Sequence, residues 1–439
     1  MIFILGILLG RQLTAAGAFA AKKIGSCMKV KQVICAAGRS GYMHRDLMAI
    51  KAGARQDGMI FHGPTVTPGF KKIVEPGTVI SVMLVLEDGQ IAFGDCADVI
   101  LAGVAGRDPV FNAVDYMDVM QGPVAATLTG RDVSTFKANA DELDKMTVAD
   151  KRLHTALRYG ITQALLHACA LSLKQTMAEV IAREYGSTIS KKPIGILASG
   201  HKDDPAQLDR IILKRFELLP HASFTVVKQH VGLKGEILHA WVKMVATRIK
   251  TIGDADYKPR IHADLYGTLG ELFSMDVEAI ANYIGSLREA AAPYDLLVES
   301  PMIAKTQAEQ IAKFRELRGL LKKKGIGVGI IADEWCNTLE DIGLFADAQA
   351  ADFVQIKTPD LGGINNTIEA ILYCRKKGMG ACLGGTANET DHSARICTHI
   401  GLACQPDFML SKPGLGADEA LMIQTNEMAR TLAILKTRS

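Results

Sequence analysis

From Lys192 onward the chain alternates short apolar runs with stretches whose apolar residues recur every three or four positions. The runs are "PIGILAS", "LLPHASFTVV", "RIHADLYG", "DLLVESP", "GVGIIADE", "DFVQIKTP", "GACLGGT" and "DFMLSKPG". Between them, "MDVEAIANYIGSLREAA", "AEQIAKFRELRGLLKKK" and "NNTIEAILYCRKKG" carry the helical period. Strand and helix alternating eight times over roughly 220 residues predict a (β/α)8 TIM-type barrel, an α/β fold whose domains typically have about 250 residues. The second strand is the weakest signal, because "ELLPH" also reads as the end of the preceding helix. A doubly wound sheet is the alternative, but no G-x-G-x-x-G follows the first strand. A last helix is predicted over roughly Ala417 to Lys436, packing back onto the N-terminal domain.

The first part of the chain has a different rhythm. "TVISVMLVLEDGQIAFGD" predicts a hairpin that turns at Asp88-Gly89. From about Leu153 to Ala182, Leu, Ile and Ala recur at helical spacing with no internal proline, which predicts a helical region. At the extreme N-terminus "MIFILGILLG" is apolar, and "AFA" at Ala18 to Ala20 resembles a cleavage site. No positive charge precedes that run, however, and it is too short to span a bilayer. Met28 opens a cleaner element, "MKVKQVICAAG", so residues 1–27 read as an upstream extension, with a misplaced start codon favoured over a signal peptide. The expected division is 1–27 extension, 28–190 α+β domain, 191–415 barrel and 416–439 C-terminal helix.

Composition changes this picture only by exclusion. Hydrophobic residues make up 48% of the 439 and charged residues 22%, which excludes global disorder. A net charge of +3 gives no case for nucleic acid or a membrane surface, and the longest basic run, Lys322-Lys323-Lys324, suits the end of a helix. Nine cysteines, an odd number without a CxxC pair, read as reduced thiols in a cytoplasmic protein.

The chemistry is expected at the carboxyl ends of the barrel strands. The third strand ends at Asp264, the fourth at Glu299 and the fifth at Asp333, each 34 or 35 residues from the next. Three adjacent carboxylates would repel and raise one another's pKa, a penalty that a divalent cation removes, and all-oxygen ligation suits Mg²⁺. Any one of these acids alone would read as a helix cap. Pattern leaves open whether Asp333 or Glu334 points inward.

On the sixth strand Gln355 and Lys357 are two apart, so both face the interior while Val354 and Ile356 face the helices. A lysine beside a metal and partly buried has its pKa lowered towards the range of a general base, about 7–8. Metal and amine together suit proton abstraction next to a carboxylate; a plain salt bridge to one of the acids is the alternative reading. Gly384-Gly385-Thr386 ends the seventh strand, where loop amides often bind anions. His221, after Pro220, is a structural histidine by itself and an acid/base candidate across the pocket beside the other residues.

The strings "RLHTALRYGITQA", "IHADLYGTLG", "ADEWCNT", "VQIKTPDLGG" and "GGTANET" resemble the methylaspartate ammonia-lyases (3-methylaspartases) of the enolase superfamily, from about Met28 to the C-terminus. The resemblance implies an α+β capping domain before a modified barrel, a homodimer, and interconversion of L-threo-3-methylaspartate with mesaconate and ammonia during glutamate degradation, with Mg²⁺ as cofactor and K⁺ as activator. By the same resemblance Asp264, Glu299 and Asp333 are metal ligands and Lys357 removes the C3 proton, passing through an enolate. His221 works on the opposite face, on the erythro isomer, and contacts a substrate carboxylate; Gln355, Thr386 and the position of Ala387 are further substrate contacts. Two positions depart from the family. Ala198 stands where a glutamine binds a carboxylate, and Ala387 where the family has cysteine. A lost charge-assisted hydrogen bond costs about 1.5–3 kcal/mol. The alternatives are another superfamily reaction, a dehydratase or epimerase on a related dicarboxylate, and a barrel that binds a diacid without turning it over.

Overall fold

The computed structural model describes residues 27–104 and 106–438; the expected extension, Cys27 apart, lies outside the described residues. The eight predicted strands form one closed, all-parallel barrel: Ile196–Ser199, Leu218–His221, Arg260–Asp264, Leu296–Glu299, Val328–Ala332, Phe353–Ile356, Gly380–Leu383 and Phe408–Leu410, in chain order around the ring. The uncertain second run is a strand, Leu218–His221, pairing with both its neighbours.

The interior is set by side-chain alternation. Leu197, Leu218, Leu297, Ile331, Cys382 and Phe408 form an apolar cluster separate from the main core, with Phe353 packed against it. Seven different strands contribute to it, so it can only be the inside of the barrel. The third strand supplies His262 instead, in register with Leu297 and fully buried. Phe353 needs space, and glycines opposite provide it. A Cβ at Gly380 would lie 2.2 Å from the Phe353 ring, and one at Gly329 would lie 3.1 Å from it. Val354 and Ile356 join the main core under the helices, as alternation predicts.

The N-terminal part is a three-stranded antiparallel sheet, with Val74–Leu86 in the centre between Val30–Arg45 and Ile91–Cys96. Its hairpin turns at Gly89, which adopts φ +85, as "EDGQ" predicts. The helix Thr155–Leu173 lies on this sheet at glycine-only distance: a Cβ at Gly94 would meet the Gly160 carbonyl oxygen at 2.1 Å. The predicted helical region consists of two helices. Lys174 adopts φ +52 and ends the first; Thr176 and Glu179 form a capping box that starts the second, Met177–Tyr185. Periodicity cannot see such a break, because both pieces keep the helical period. Lys322 and Lys323 close the helix Gln307–Lys323, as their charge suggests. All nine cysteines are free, seven of them buried. Among the described residues, no helix is long and apolar enough to cross a membrane.

The last helix, Ala417–Lys436, packs mainly on the barrel helix Asp391–Cys404. Beyond its end, Arg438 pairs with Glu179 of the N-terminal part at 2.6 Å. Glu427 anchors the helix by accepting from Arg395 and His399, each at 3.1 Å. Burial works against its charge, but His399 and Arg430 hold the carboxyl down at about 2 from the usual 4.5. A depressed folded-state pKa means that this stabilisation is complete above pH 4.5 and disappears as pH falls through 2. Replacing Glu427 with Gln is expected to cost about 1–3 kcal/mol at neutral pH. The loss should shrink over that acid window in melts recorded against pH; a pH-independent loss contradicts the assignment.

Candidate active site

Every polar residue singled out at a strand end lies at one rim, and the backbone there is strained in a regular way. Just past each of the three acids a non-glycine residue takes a left-handed conformation: Tyr266 at φ +46, Ser300 at φ +45 and Trp335 at φ +66. Each costs energy that the surrounding structure has to override, a feature concentrated at functional sites. A glycine, Gly267 at φ +81, follows Tyr266, but none adjoins Ser300 or Trp335, so the sequence carries no sign of those two turns.

The expected acid trio is divided between two partners. Donor atoms of His221, Asp264 and Glu299 lie within 4.8 Å of one another, a group able to hold a cation. Asp333 instead receives the Lys357 ammonium at 2.5 Å. Glu334, the other candidate at that strand end, accepts from the Ser300 hydroxyl. Burial drives the Asp264 pKa well above the usual carboxylate range, and the negative charges of Glu299, Glu334 and Asp333 add to it. Glu299 is lowered despite burial, because His221 and His262 donate towards it; His262 Nε2 lies at 2.8 Å. Buried oxygen donors and crowded negative charge fit a hard divalent cation such as Mg²⁺.

Lys357 departs from expectation. Burial pulls its pKa down, but Asp333 outweighs burial and holds the amine above its ordinary value. The guanidinium of Arg107 acts in the opposite sense to Asp333. Arg107 belongs to the N-terminal part and is itself fixed to Asp360 at 2.9 Å and Asn337 at 3.1 Å, on the loops after the sixth and fifth strands.

His221 ends the second strand and Lys357 follows the sixth, four strands apart in a ring of eight, so they face each other across the mouth. The ring of His221 stacks on His262, centroids 5.2 Å apart. Its Nε2 stands 3.9 Å from Asp264 and 3.8 Å from Glu299. Gln355 is buried between, its Nε2 3.4 Å from both Glu299 oxygens, and its Oε1 is unpartnered among the described groups.

Thr386 and Ala387 lie on the loop after the seventh strand, nearly buried. The Thr386 N–H, expected to be free for an anion, donates to Glu389 at 2.9 Å. The double glycine has another reason: a Cβ at Gly384 would fall 2.1 Å from Gln355 Oε1, and one at Gly385 2.1 Å from Glu389 Oε2. Ala198 is fully buried in the first strand and offers no polar group.

Sequence reasoning missed His262, Arg107, Glu389 and Lys412. Two of them carried a readable signal. His262 is two residues before Asp264 and therefore inward with it, and Lys412 follows an apolar strand just as Lys357 does. Arg107 and Glu389 depend on contacts far apart in the chain.

Comparison with known proteins places nearly the whole described chain in one family. Residues 28–186 match the family model for the methylaspartate ammonia-lyase N-terminus, and residues 188–437 the model for its C-terminus. The methylaspartate ammonia-lyase of Clostridium tetanomorphum is 47% identical over 412 residues, covering 94% of this chain and 100% of its own. The crystal structure of beta-methylaspartase from that organism, a Mg-complex, superposes with a TM-score of 0.90. The Citrobacter amalonaticus methylaspartate ammonia lyase containing (2S,3S)-3-methylaspartic acid does so equally, at 43% identity, covering 93% of this chain and 100% of its own. Muconate lactonizing enzyme from Pseudomonas fluorescens, an enolase-superfamily member, shares the fold alone, at 16% identity and a TM-score of 0.58, over 86% of this chain and 85% of its own.

Asp264→Asn should separate charge crowding from metal binding. Without metal its melting temperature should equal or exceed that of the parent, because one buried repulsion is gone. Saturating Mg²⁺ should stabilise the parent by about 2.7 kcal/mol at a hundred times Kd, and the variant far less. A destabilised variant with a full Mg²⁺ response contradicts the site.

Proposed function

Because the chain belongs to the methylaspartate ammonia-lyase family, a family of carbon–nitrogen lyases, we propose that it eliminates ammonia from L-threo-3-methylaspartate to give mesaconate, with Lys357 as the base. The supporting observation is the partly buried Lys357–Asp333 pair at the rim, facing His221 across Asp264 and Glu299. Lys357 takes the proton from C3. The electrons of that bond become the C2–C3 double bond, and ammonia leaves C2 with the carbon–nitrogen pair. His221, on the other side, serves the opposite face of C3, the one presented by an erythro isomer, and contacts a substrate carboxylate. Gln355 and Thr386 complete the contacts, Gln355 through an Oε1 that has yet to receive a donor.

Asp264, Glu299 and Asp333 would hold Mg²⁺, which when bound supplies positive charge to the carboxylate attached to C3. Asp333 is then shared: the more of its charge goes elsewhere, the more burial and Arg107 lower the Lys357 pKa. Activation by K⁺, a homodimer, a cytoplasmic location, a place in glutamate degradation, and a capping domain ending near residue 190 belong to the same reading. Ala198 and Ala387 offer no polar side chain where the family has glutamine and cysteine, which also admits the second reading, a dehydratase or epimerase on a related dicarboxylate.

The deciding experiment incubates the protein with threo-3-methylaspartate and follows the unsaturated product by absorbance. Product is expected with Mg²⁺ and none after chelation. Lys357→Ala should lower turnover of this isomer by about 10²–10⁴-fold or more. Retained turnover in that variant removes Lys357 from the role; no product from the parent with Mg²⁺, but turnover of a hydroxy-diacid, selects the second reading.

A further inference from the structure

The carboxylate of Glu389 gathers groups from four parts of the chain, and no step above uses it. Glu389 and Lys412 are both fully buried, with Lys412 Nζ 3.2 Å from Glu389 Oε2. Lys412 also donates to the Gly384 carbonyl at 2.7 Å and to Thr358 Oγ1 at 3.3 Å. The hydroxyl of Tyr159, on the helix Thr155–Leu173, donates to Glu389 Oε1 in a short hydrogen bond. Thr358 reaches the same oxygen at 3.1 Å, while Oε2 accepts the Thr386 N–H at 2.9 Å.

As a source of stability this arrangement is poor. Two desolvated charges return little net energy, often less than apolar side chains of the same volume. Its value lies in where the two carboxylate oxygens lead. One holds Thr358, the residue after Lys357; the other holds Thr386, the substrate contact two residues beyond Gly384. The N-terminal part reinforces the same loop at its neighbours. Ser40 donates to Asn388 at 3.0 Å, and Thr390 donates to Asp95 at 2.5 Å.

Resting on the reading of Lys357 as base and Thr386 as substrate contact, we propose that Glu389 is a positioning residue that, held by Lys412 and Tyr159, keeps the base-bearing strand end and the substrate-bearing loop in one register. The reacting C3–H bond and Lys357 then meet at a distance fixed by one carboxylate. Misplacement of about 1 Å between reacting groups can cost about a hundredfold in rate.

The test separates positioning from folding. Glu389→Gln and Lys412→Met each strand a buried charge and should lose stability and activity together. The double variant strands none. It should melt close to the parent, yet retain a kcat at least about tenfold lower, with a larger primary isotope effect for substrate deuterated at C3. Tyr159→Phe keeps the ring and should show the same two changes at smaller size, which decides the matter if the double variant does not fold. A folded double variant, or Tyr159→Phe, with parental kcat and isotope effect overturns the proposal. A parent that forms no mesaconate overturns the functional reading, and this proposal with it; a parent that is active and inactivated by Lys357→Ala leaves the positioning role to be judged on the variants alone.

Discussion

Asp264, Glu299 and Asp333 are buried within electrostatic reach of one another and of the partly buried Glu334. Two like charges 4 Å apart interact by about 4 kcal/mol at an effective dielectric of 20, so such a group has to be compensated or protonated. Much of the surrounding structure answers this demand. His221 and His262 donate towards Glu299, Lys357 pairs with Asp333, and Ser300 donates to Glu334. The compensation is incomplete at Asp264 and at Asp333, where burial and the neighbouring carboxylates keep both pKa values raised. A site that keeps buried carboxylates under-compensated favours a small, hard cation over a bulky organic one.

The barrel was legible because its strands are buried on both faces and read as apolar runs, and because its helices keep the 3.6 period. The acids and Lys357 were legible for a related reason: an ionisable group at the end of such a run has no packing role to explain it. Lys412 meets that criterion as well as Lys357 does. Other features left no trace in the pattern. The break at Lys174 is a single residue's left-handed turn inside an unbroken period. The partners of Arg107, and Tyr159 among those of Glu389, lie more than two hundred residues away, where local spacing says nothing. The direction of the Lys357 pKa depends on which charge the amine meets, and the salt bridge kept as the alternative reading is the contact present, with Asp333.

The N-terminal part reaches the rim with groups of three kinds. Arg107 brings a positive charge near Lys357, Tyr159 brings a hydroxyl to Glu389, and Ser40 and Asp95 fasten the loop between Thr386 and Thr390. Gly41 marks how close the approach is: a Cβ there would lie 2.6 Å from the carbonyl oxygens of Ala387 and Glu389. The loop that bears the proposed substrate contacts is thus shaped from outside the barrel as much as by the strand that precedes it.

Below the rim, the ring of Leu197, Leu218, Leu297, Ile331 and their neighbours fills the barrel. A filled barrel is a blind vessel, with a mouth and no drain. Whatever enters leaves by the same door, so an elimination that turns one molecule into two has to discharge both products past the loops that admitted the reactant. Traffic through that doorway is then as open to selection as the chemistry beneath it, and the reverse addition would need its two reactants to queue at the same entrance.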